Sequence, residues 1–291
     1  MSLHGKVALV TGGARRLGRA IALAFAAAGA DVIIHYNQSA EQGAAVVAEL
    51  EALGVRAAAF AGDLAEVAAG ERLVDAALEH SGRLDVLVNN AGIWGATPIG
   101  SVSPERWDAL MHINLRSMFF IVQRAAPALR AAGGAIVNIA DVGAIRPWRN
   151  YTPYLVSKGG VVTLTEALAK DLAPDVRVNA IAPGPVLKPD DWGDDRDGNV
   201  EQTTLLKRWG TAEDVGQAAV FLASAAYITG VILPVDGGNR LVYPAQPMGA
   251  YTRWGITGAA GSARPAPFLP PARPDRSIGL PVRPGGALPT L

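Results

Sequence analysis

The chain has 291 residues, half of them apolar, which is enough to bury the core of one large domain. Its 26 basic residues balance its 26 acidic residues, and this neutrality argues against a nucleic acid or an anionic membrane surface as a partner. With no cysteine and four scattered histidines, the sequence shows no disulfide, no thiolate nucleophile and no metal-ligand spacing. No apolar run approaches the ~20 residues of a membrane-spanning helix, so we expect a soluble, cytoplasmic protein.

Short runs rich in valine and isoleucine alternate along the chain with longer segments rich in alanine and leucine. The short runs are largely apolar and show no alternation of polar and apolar residues, which predicts buried strands at residues 6–10, 31–36, 55–60, 84–88, 134–140, 176–182 and 230–236. The segments between them predict helices at 15–28, 40–53, 64–80, 104–131, 152–172 and 212–224. This alternation predicts an α/β fold: a single doubly wound (Rossmann) domain with a seven-stranded parallel sheet.

The composition changes near residue 243. Residues 244–291 are dense in proline, glycine and alanine and carry five arginines against one aspartate. Such a segment buries too little apolar surface to offset the entropy lost on ordering. We therefore predict a folded domain over residues 1–243 and a disordered extension over 244–291. The alternative is an arm that packs on a partner subunit through Trp254, Ile256 and Phe268.

A glycine-rich turn follows the first predicted strand. In "TGGARRLG" the backbone turns at Gly12, and Gly18 opens the first helix. The free N–H groups and the dipole of a helix N-terminus bind pyrophosphate, and glycines let the backbone approach it closely. The turn alone is a weak sign, because many loops between a strand and a helix are rich in glycine.

A tyrosine and a lysine lie four residues apart, at Tyr154 and Lys158, which places them on one face of a helix. An ammonium group one turn away stabilises a phenolate, so it lowers the pKa of the tyrosine from about 10. Thirteen residues before the tyrosine, a predicted strand ends at Asp141. These three residues predict an acid-base site.

Together with "NNAG" at residues 89–92 and with Asn114, these motifs make the chain resemble the short-chain dehydrogenase/reductase family over residues 5 to about 240. The resemblance implies a nicotinamide cofactor and catalysis by Asn114, Tyr154 and Lys158, with Asn114 anchoring a water that links the lysine to solvent. It also implies a homotetramer built on the helices of 104–131 and 152–172.

Two residues depart from the commoner family pattern. Arg16 replaces a glycine of Thr-Gly-x-x-x-Gly-x-Gly, and Asp141 replaces a serine. Both departures resemble the pteridine reductase subgroup, which implies hydride transfer from NADPH to a pterin ring. A carboxylate accepts hydrogen bonds from an aminopyrimidine and, when protonated, passes on a proton, whereas the serine donates to a carbonyl. The alternative is that Asp141 only caps the segment from Val142.

The end of the second strand indicates which nicotinamide cofactor binds. An enzyme that selects NAD places a carboxylate there for the ribose hydroxyls, but residues 35–39 read His-Tyr-Asn-Gln-Ser. Arg15, Arg16 and Ser39 suit a 2′-phosphate, so we predict NADPH. The alternative is that both arginines are solvated residues of the first helical turn, where cations oppose the helix dipole. Asp63 matches the family residue that contacts the adenine, and it also suits a cap for a helix starting at Leu64.

The candidate site residues form three sets. The predicted catalytic residues are Asp141, Tyr154, Lys158 and Asn114. The predicted cofactor contacts are Gly12, Arg15, Arg16, Leu17, Gly18, His35, Asn37, Ser39, Asp63, Leu64, Asn90, Ala91, Gly92, Tyr154, Lys158, Pro183, Gly184 and Val186. The predicted substrate contacts are Arg16, Trp94, Asp141, Tyr154 and Trp192. Trp94 is expected to stack on a flat pterin, and Trp192 to cover it as part of a mobile loop.

Two other functions fit parts of this pattern. The first is a reductase of 3-oxoacyl thioesters or other ketones, which keeps the cofactor site and leaves Asp141 and Arg16 unexplained. The second is a dinucleotide sensor without catalysis that acts on a partner protein through the proline-rich tail. A sensor needs no proton relay, so the residues Asn114, Tyr154 and Lys158 argue against it.

Overall fold

The computed structural model describes residues 2–188 and 200–242. Its strands are β1 (Val7–Val10), β2 (Asp31–Tyr36), β3 (Ala57–Ala61), β4 (Val86–Asn89), β5 (Ala135–Ile139), β6 (Arg177–Pro183) and β7 (Ile232–Val235). Its helices are α1 (Arg16–Ala27), α2 (Ala40–Ala52), α3 (Val67–Ser81), α4 (Pro104–Met111), α5 (Ser117–Ala132), α6 (Thr152–Leu172), α7 (Val200–Thr203) and α8 (Ala212–Ser224).

The strands form one parallel sheet in the order β3-β2-β1-β4-β5-β6-β7. The predicted doubly wound α/β fold with seven parallel strands is therefore confirmed. The strand order reverses between β1 and β4, so the loops that leave the carboxyl ends of these two strands diverge. A cleft for a ligand opens at such a reversal in doubly wound folds.

The central strands are largely apolar because both faces of the sheet are covered. Val7 and Leu9 of β1 enter a core with α3, α5 and α6, whereas Ala8 and Val10 enter a core with α1, α2 and α8. All four side chains are almost inaccessible to solvent. Neither face of such a strand tolerates a polar residue without a partner, which explains the apolar runs.

Two predicted helices have different limits. The helix expected from residue 64 begins at Val67, because the Asp63 carboxylate and carbonyl accept bonds from the N–H groups of Ala65 and Glu66 at 3.0 Å and hold a turn. The single helix expected over 104–131 is interrupted by a π-helical turn at His112–Arg116. A π turn contains one extra residue, which rotates the side chains around the helix axis relative to a regular α-helix. Asn114 lies in this turn.

Some predictions concern residues that the structure does not describe. The domain boundary at 243, the extension over 244–291 with Trp254, Ile256 and Phe268, and the substrate residue Trp192 all lie outside the described residues. Within residues 2–188 and 200–242, no helix is both long enough and apolar enough to cross a membrane.

Candidate active site

The glycine loop between β1 and α1 is joined to the loop after β4. Thr11 Oγ1 accepts hydrogen bonds from the N–H groups of Asn90 at 2.9 Å and of Ala91 at 3.0 Å. Asn90 Nδ2 donates to the Thr11 carbonyl at 2.8 Å. A Cβ atom at Gly18 would lie 2.0 Å from the Gly12 carbonyl oxygen, so only glycine allows α1 to start against this loop.

Arg16 occupies a backbone conformation that favours glycine. Its φ of 51° lies in the left-handed region, which explains why the commoner family pattern has a glycine there. Its Nη2 donates to the Lys188 carbonyl at 3.0 Å, so the arginine joins the glycine loop to the segment that follows β6. The neighbouring Leu17 is partly buried and packs against the core below the loop.

The groups predicted to hold a 2′-phosphate lie beside the carboxyl end of β2. Arg15 and Asn37 are exposed. Ser39 precedes α2, and within the described helix its hydroxyl makes no capping hydrogen bond. This set of cations, amides and hydroxyls fits an anionic ligand.

His35 lies beneath the glycine loop rather than in the cleft. Its side chain is 3% exposed, Nδ1 accepts from the Gly12 N–H at 3.2 Å, and Nε2 lies 2.9 Å from the Gly62 carbonyl oxygen. Burial lowers the pKa of His35. Leu64, in the loop after β3, is also buried, so its side chain belongs to the core and only its backbone can serve a cofactor.

Asp141 and Tyr154 are in direct contact. The Tyr154 hydroxyl donates to Asp141 Oδ2 at 2.6 Å, and the Gly143 N–H donates to Asp141 Oδ1 at 2.7 Å. Asp141 thus caps the short 3₁₀ helix Val142–Ala144 and binds the tyrosine at the same time. The cap drawn from the sequence is therefore present, and the role of Asp141 toward a substrate stays a prediction.

The environment shifts the pKa values of this pair upward. Burial raises the pKa of Asp141, against the hydrogen bonds from Tyr154 and Gly143 and the charge of Lys158, which lower it. Burial, followed by the charge and hydrogen bond of Asp141, raises the pKa of Tyr154 well above its usual value. This direction is opposite to the one expected from Lys158, and its causes are burial and the Asp141 carboxylate.

Lys158 is buried one turn after Tyr154 on α6. Its Nζ donates to the Ile139 carbonyl at 2.8 Å, at the end of β5. Burial lowers the pKa of Lys158 to about 8, while the Asp141 charge acts in the opposite direction. The ammonium group is therefore poised to lose its proton close to physiological pH.

Asn114 sits in the π-helical turn and is inaccessible to solvent. Its side chain binds the Ile93 backbone twice, accepting from the N–H at 2.8 Å and donating to the carbonyl at 2.9 Å, and it also donates to Ser157 Oγ at 3.0 Å. Gly92 lies in front of it, since a Cβ atom there would be 3.2 Å from Asn114 Oδ1 and 3.6 Å from Lys158 Nζ.

Trp94 lies in an aromatic cluster that sequence reasoning did not identify. Its ring stacks on Tyr151 with centroids 5.6 Å apart and an interplanar angle of 6°, and Trp148 meets Tyr151 edge-on at 6.3 Å. Trp94 and Trp148 remain 42% and 39% exposed. The available signal was the aromatic spacing in "PWRNYTPY", between Asp141 and Tyr154.

The segment after β6 closes the remaining side of the described site. The Gly184 N–H donates to the Val235 carbonyl at 2.9 Å, and the Val186 N–H donates to the Gly184 carbonyl at 2.8 Å. Pro183 is the last residue of β6 and is buried. The structure thus brings Asp141, Tyr154, Lys158 and Asn114 together, as the sequence predicts, whereas His35 and Leu64 lie behind the cleft.

Comparisons with known proteins agree with this fold. A family profile described as enoyl-(acyl carrier protein) reductase matches residues 12–240. A protein named as a ketoacyl reductase of the granaticin polyketide synthase from Streptomyces violaceoruber is 41% identical over 247 residues, which are 81% of this chain and 96% of that protein. The 3-oxoacyl-[acyl-carrier-protein] reductase of Thermotoga maritima is 36% identical, covering 82% of this chain and 99% of that protein.

A solved structure shows the same likeness. A blue fluorescent protein from a metagenomic library, in complex with NADPH, matches with a TM-score of 0.77 and 38% identity, covering 82% of this chain and 99% of that chain. These similarities point to reductases of the family at large and do not single out the pteridine reductase subgroup. The chain belongs to the short-chain dehydrogenase/reductase family of oxidoreductases.

Proposed function

We propose that the protein is an NADPH-dependent reductase of ketones, of the 3-oxoacyl or a related class. The observation that carries this proposal is the buried Tyr154 hydroxyl, held by Asp141 at 2.6 Å and one helical turn from Lys158. The similarity to proteins named as ketoacyl and 3-oxoacyl reductases supports the substrate class. NADPH supplies the hydride when bound.

The choice of NADPH is supported by the residues around the carboxyl end of β2. Arg15 and Asn37 are exposed there, and Ser39 leaves its hydroxyl unused by α2. Residues 35–39 contain no carboxylate to repel a 2′-phosphate or to hold two ribose hydroxyls. Gly12 and Gly18 provide the close backbone approach that a pyrophosphate needs.

The residues of the site divide the remaining work. Tyr154 donates its proton to the carbonyl oxygen as the alcohol forms. Lys158, as an ammonium group, holds the ribose and stabilises the phenolate that this transfer leaves behind. When Asp141 is protonated, it can donate a hydrogen bond as a serine hydroxyl would and polarise a carbonyl.

Pterin reduction is the second candidate, and one observation favours it: Asp141 stands in the place of the usual serine and contacts Tyr154. An ionised Asp141 accepts hydrogen bonds from ring N–H and amino groups, which a ketone does not have. In that case Tyr154 would supply the proton for the ring nitrogen, and the Asp141 carboxylate would bind the ring. The exposed ring of Trp94 would then provide a surface for a flat ring.

The test is NADPH oxidation by the purified full-length protein. The panel contains acetoacetyl thioesters, simple diketones, a steroid ketone, dihydropterins and dihydrofolate, each with NADPH and with NADH. Turnover of ketones with a kcat/KM preference for NADPH supports the first proposal, and selective turnover of dihydropterins supports the second. Binding of NADPH with no turnover of either class would contradict both.

We also propose that the protein is a homotetramer assembled through the helices α4, α5 and α6. These helices carry large apolar side chains that remain exposed: Trp107 at 39%, Phe119 at 40% and Val156 at 48%. Exposed apolar side chains on neighbouring helices are typical of subunit contacts.

Light scattering after gel filtration should give a mass four times that of one chain. The variant Phe119→Glu should have a lower mass, because a charge is then placed in the contact. A monomeric wild type contradicts this proposal.

A further inference from the structure

His35 connects the two loops that flank the cofactor side of the sheet. One contact is the Gly12 N–H, which donates to His35 Nδ1 at 3.2 Å. The second is the Gly62 carbonyl oxygen, 2.9 Å from Nε2, and a third is the Gly13 N–H, which donates to the His35 carbonyl at 2.9 Å. One residue of β2 thus holds the glycine loop after β1 and the loop after β3.

These contacts require one tautomer of the imidazole. Because the Gly12 N–H is a donor, Nδ1 must be unprotonated, and because the Gly62 oxygen is an acceptor, Nε2 must carry the hydrogen. The ring is therefore neutral, in agreement with the burial that lowers the pKa of His35; the neighbouring Asp63 charge acts the other way but is a smaller effect. In this form each ring nitrogen has a hydrogen-bond partner.

We infer that His35 is a positioning residue for the dinucleotide, which it orders through the Gly12 N–H without touching it. Gly12 has a φ of 64° and no side chain, so its conformation depends on contacts made by its backbone. A loop that is already ordered loses less entropy when the ligand binds. This inference rests on the proposed binding of NADPH at the glycine loop.

Two variants separate this role from simple core filling. In His35→Asn, the side-chain oxygen lies where Nδ1 was and can still accept from Gly12. In His35→Gln, the amide nitrogen lies where Nε2 was, so the contact with Gly62 is kept and the acceptor for Gly12 is lost. Glutamine is closer to histidine in volume, so a residue that only fills space would tolerate Gln better than Asn.

The measurement is the Kd for NADPH from a fluorescence titration of each full-length variant. We expect His35→Gln to raise the Kd at least about tenfold and His35→Asn to raise it about threefold or less, because only glutamine leaves the Gly12 N–H without its acceptor and the loop less ordered before the ligand binds. His4→Gln, at an exposed histidine before β1 and away from the cleft, is the control and should leave the Kd unchanged. The inference would be overturned if both variants raised the Kd equally, or if His35→Asn raised it more than His35→Gln.

A measurement on the wild type covers the case in which a variant does not fold. Nitrogen-15 NMR of histidine-labelled protein at pH 7 should show His35 as the neutral tautomer with hydrogen on Nε2. A charged His35, or one with hydrogen on Nδ1, would overturn the inference. A wild type that binds neither NADPH nor NADH would contradict the proposed function itself. If the wild type binds NADPH but His35→Gln does not weaken binding more than His35→Asn, only the role of His35 is contradicted.

Discussion

At the scale of single residues, Asp141 decides what kind of proton donor Tyr154 can be. A serine in its place would not repel a phenolate and would accept the tyrosine proton only weakly. The Asp141 carboxylate repels a phenolate and accepts the hydrogen bond of the Tyr154 hydroxyl at 2.6 Å. Together with burial, it raises the pKa of Tyr154. A tyrosine held protonated in this way suits reduction, in which it gives up a proton, better than oxidation, which starts from the phenolate.

Replacing Asp141 should separate the two candidate substrate classes. Asp141→Asn keeps the shape but cannot carry a proton, so turnover of dihydropterins should fall by roughly 10² to 10⁴. Asp141→Ser should retain or raise turnover of ketones, because a hydroxyl donates to a carbonyl. Steady-state kinetics with both substrate classes make the measurement, and the Kd for NADPH should stay close to that of the wild type.

Tyr154→Phe provides the reference for these variants, because it removes the proton donor for every substrate. If Asp141→Asn kept full activity on pterins, the carboxylate would serve only as the cap of the 3₁₀ helix Val142–Ala144.

The pKa of Lys158 predicts how activity depends on pH. Its value of about 8 lies below the usual value for lysine, so the ammonium group loses its proton as the pH rises through 8. When the ammonium group loses its proton, it also loses the positive charge that stabilises the phenolate. We therefore expect kcat/KM for reduction to be highest below pH 8 and to fall above it with a slope of one proton.

This fall in kcat/KM above pH 8 is measured in a series of buffers of increasing pH at constant ionic strength, with saturating NADPH. Lys158→Arg is the comparison, since its charge does not titrate in this range and its profile should lack the limb near pH 8. A wild-type profile that stays flat from pH 7 to 10 would show that Lys158 does not control the reaction.

At the scale of structural elements, the start of α1 combines a strained backbone with a contact across the cleft. Arg16→Gly should relieve the left-handed conformation, worth about 1 kcal/mol, and should lose the bond to the Lys188 carbonyl. We expect thermal stability to hold or rise while the KM for NADPH rises.

Arg16→Ala separates the two effects, because it keeps the strain and removes the guanidinium group. It should lower both thermal stability and NADPH affinity. If Arg16→Gly left the KM values for NADPH and NADH in the wild-type ratio, the arginine would play no part in choosing the cofactor.

The π-helical turn between α4 and α5 holds the loop after β4 through one side chain. Asn114→Ala would leave the N–H and carbonyl of Ile93 without these partners, so we expect a loss of about 2–4 kcal/mol in unfolding free energy together with a large loss of kcat. Urea unfolding measures the loss of unfolding free energy, and single-turnover kinetics measure the loss of activity. Ser117→Ala, which removes a hydroxyl bonded to the Ile113 carbonyl near the same turn, should change both only slightly.

At the scale of the whole molecule, residues 244–291 are dense in proline, glycine and alanine, a composition that buries little apolar surface. Arg146 donates to the carbonyls of Asn239, Arg240 and Val242, which holds the end of this region. We therefore expect a chain that ends at Val242 to unfold at the same urea concentration as the full-length protein and to keep its reductase activity. Loss of activity or of the oligomer on truncation would instead show that residues beyond 242 serve as an assembly arm.

The sequence by itself determined the order of strands and helices. A strand covered on both faces is largely apolar without alternation, and a helix covered on one face shows the longer period, so both patterns are local. The Tyr154–Lys158 spacing and the identity of Asp141 likewise indicated the chemistry, because four residues make one turn of α6.

Only the tertiary structure decided which of these residues face the cleft and what they touch. His35 lies under the loop because Gly12 and Gly62, 23 and 27 residues away along the chain, bring their backbone groups to its ring. Trp94 stacks on Tyr151, and Asn114 holds Ile93, for the same reason. Such contacts depend on how distant segments meet at the carboxyl edge of the sheet, and no local pattern of residues encodes that meeting.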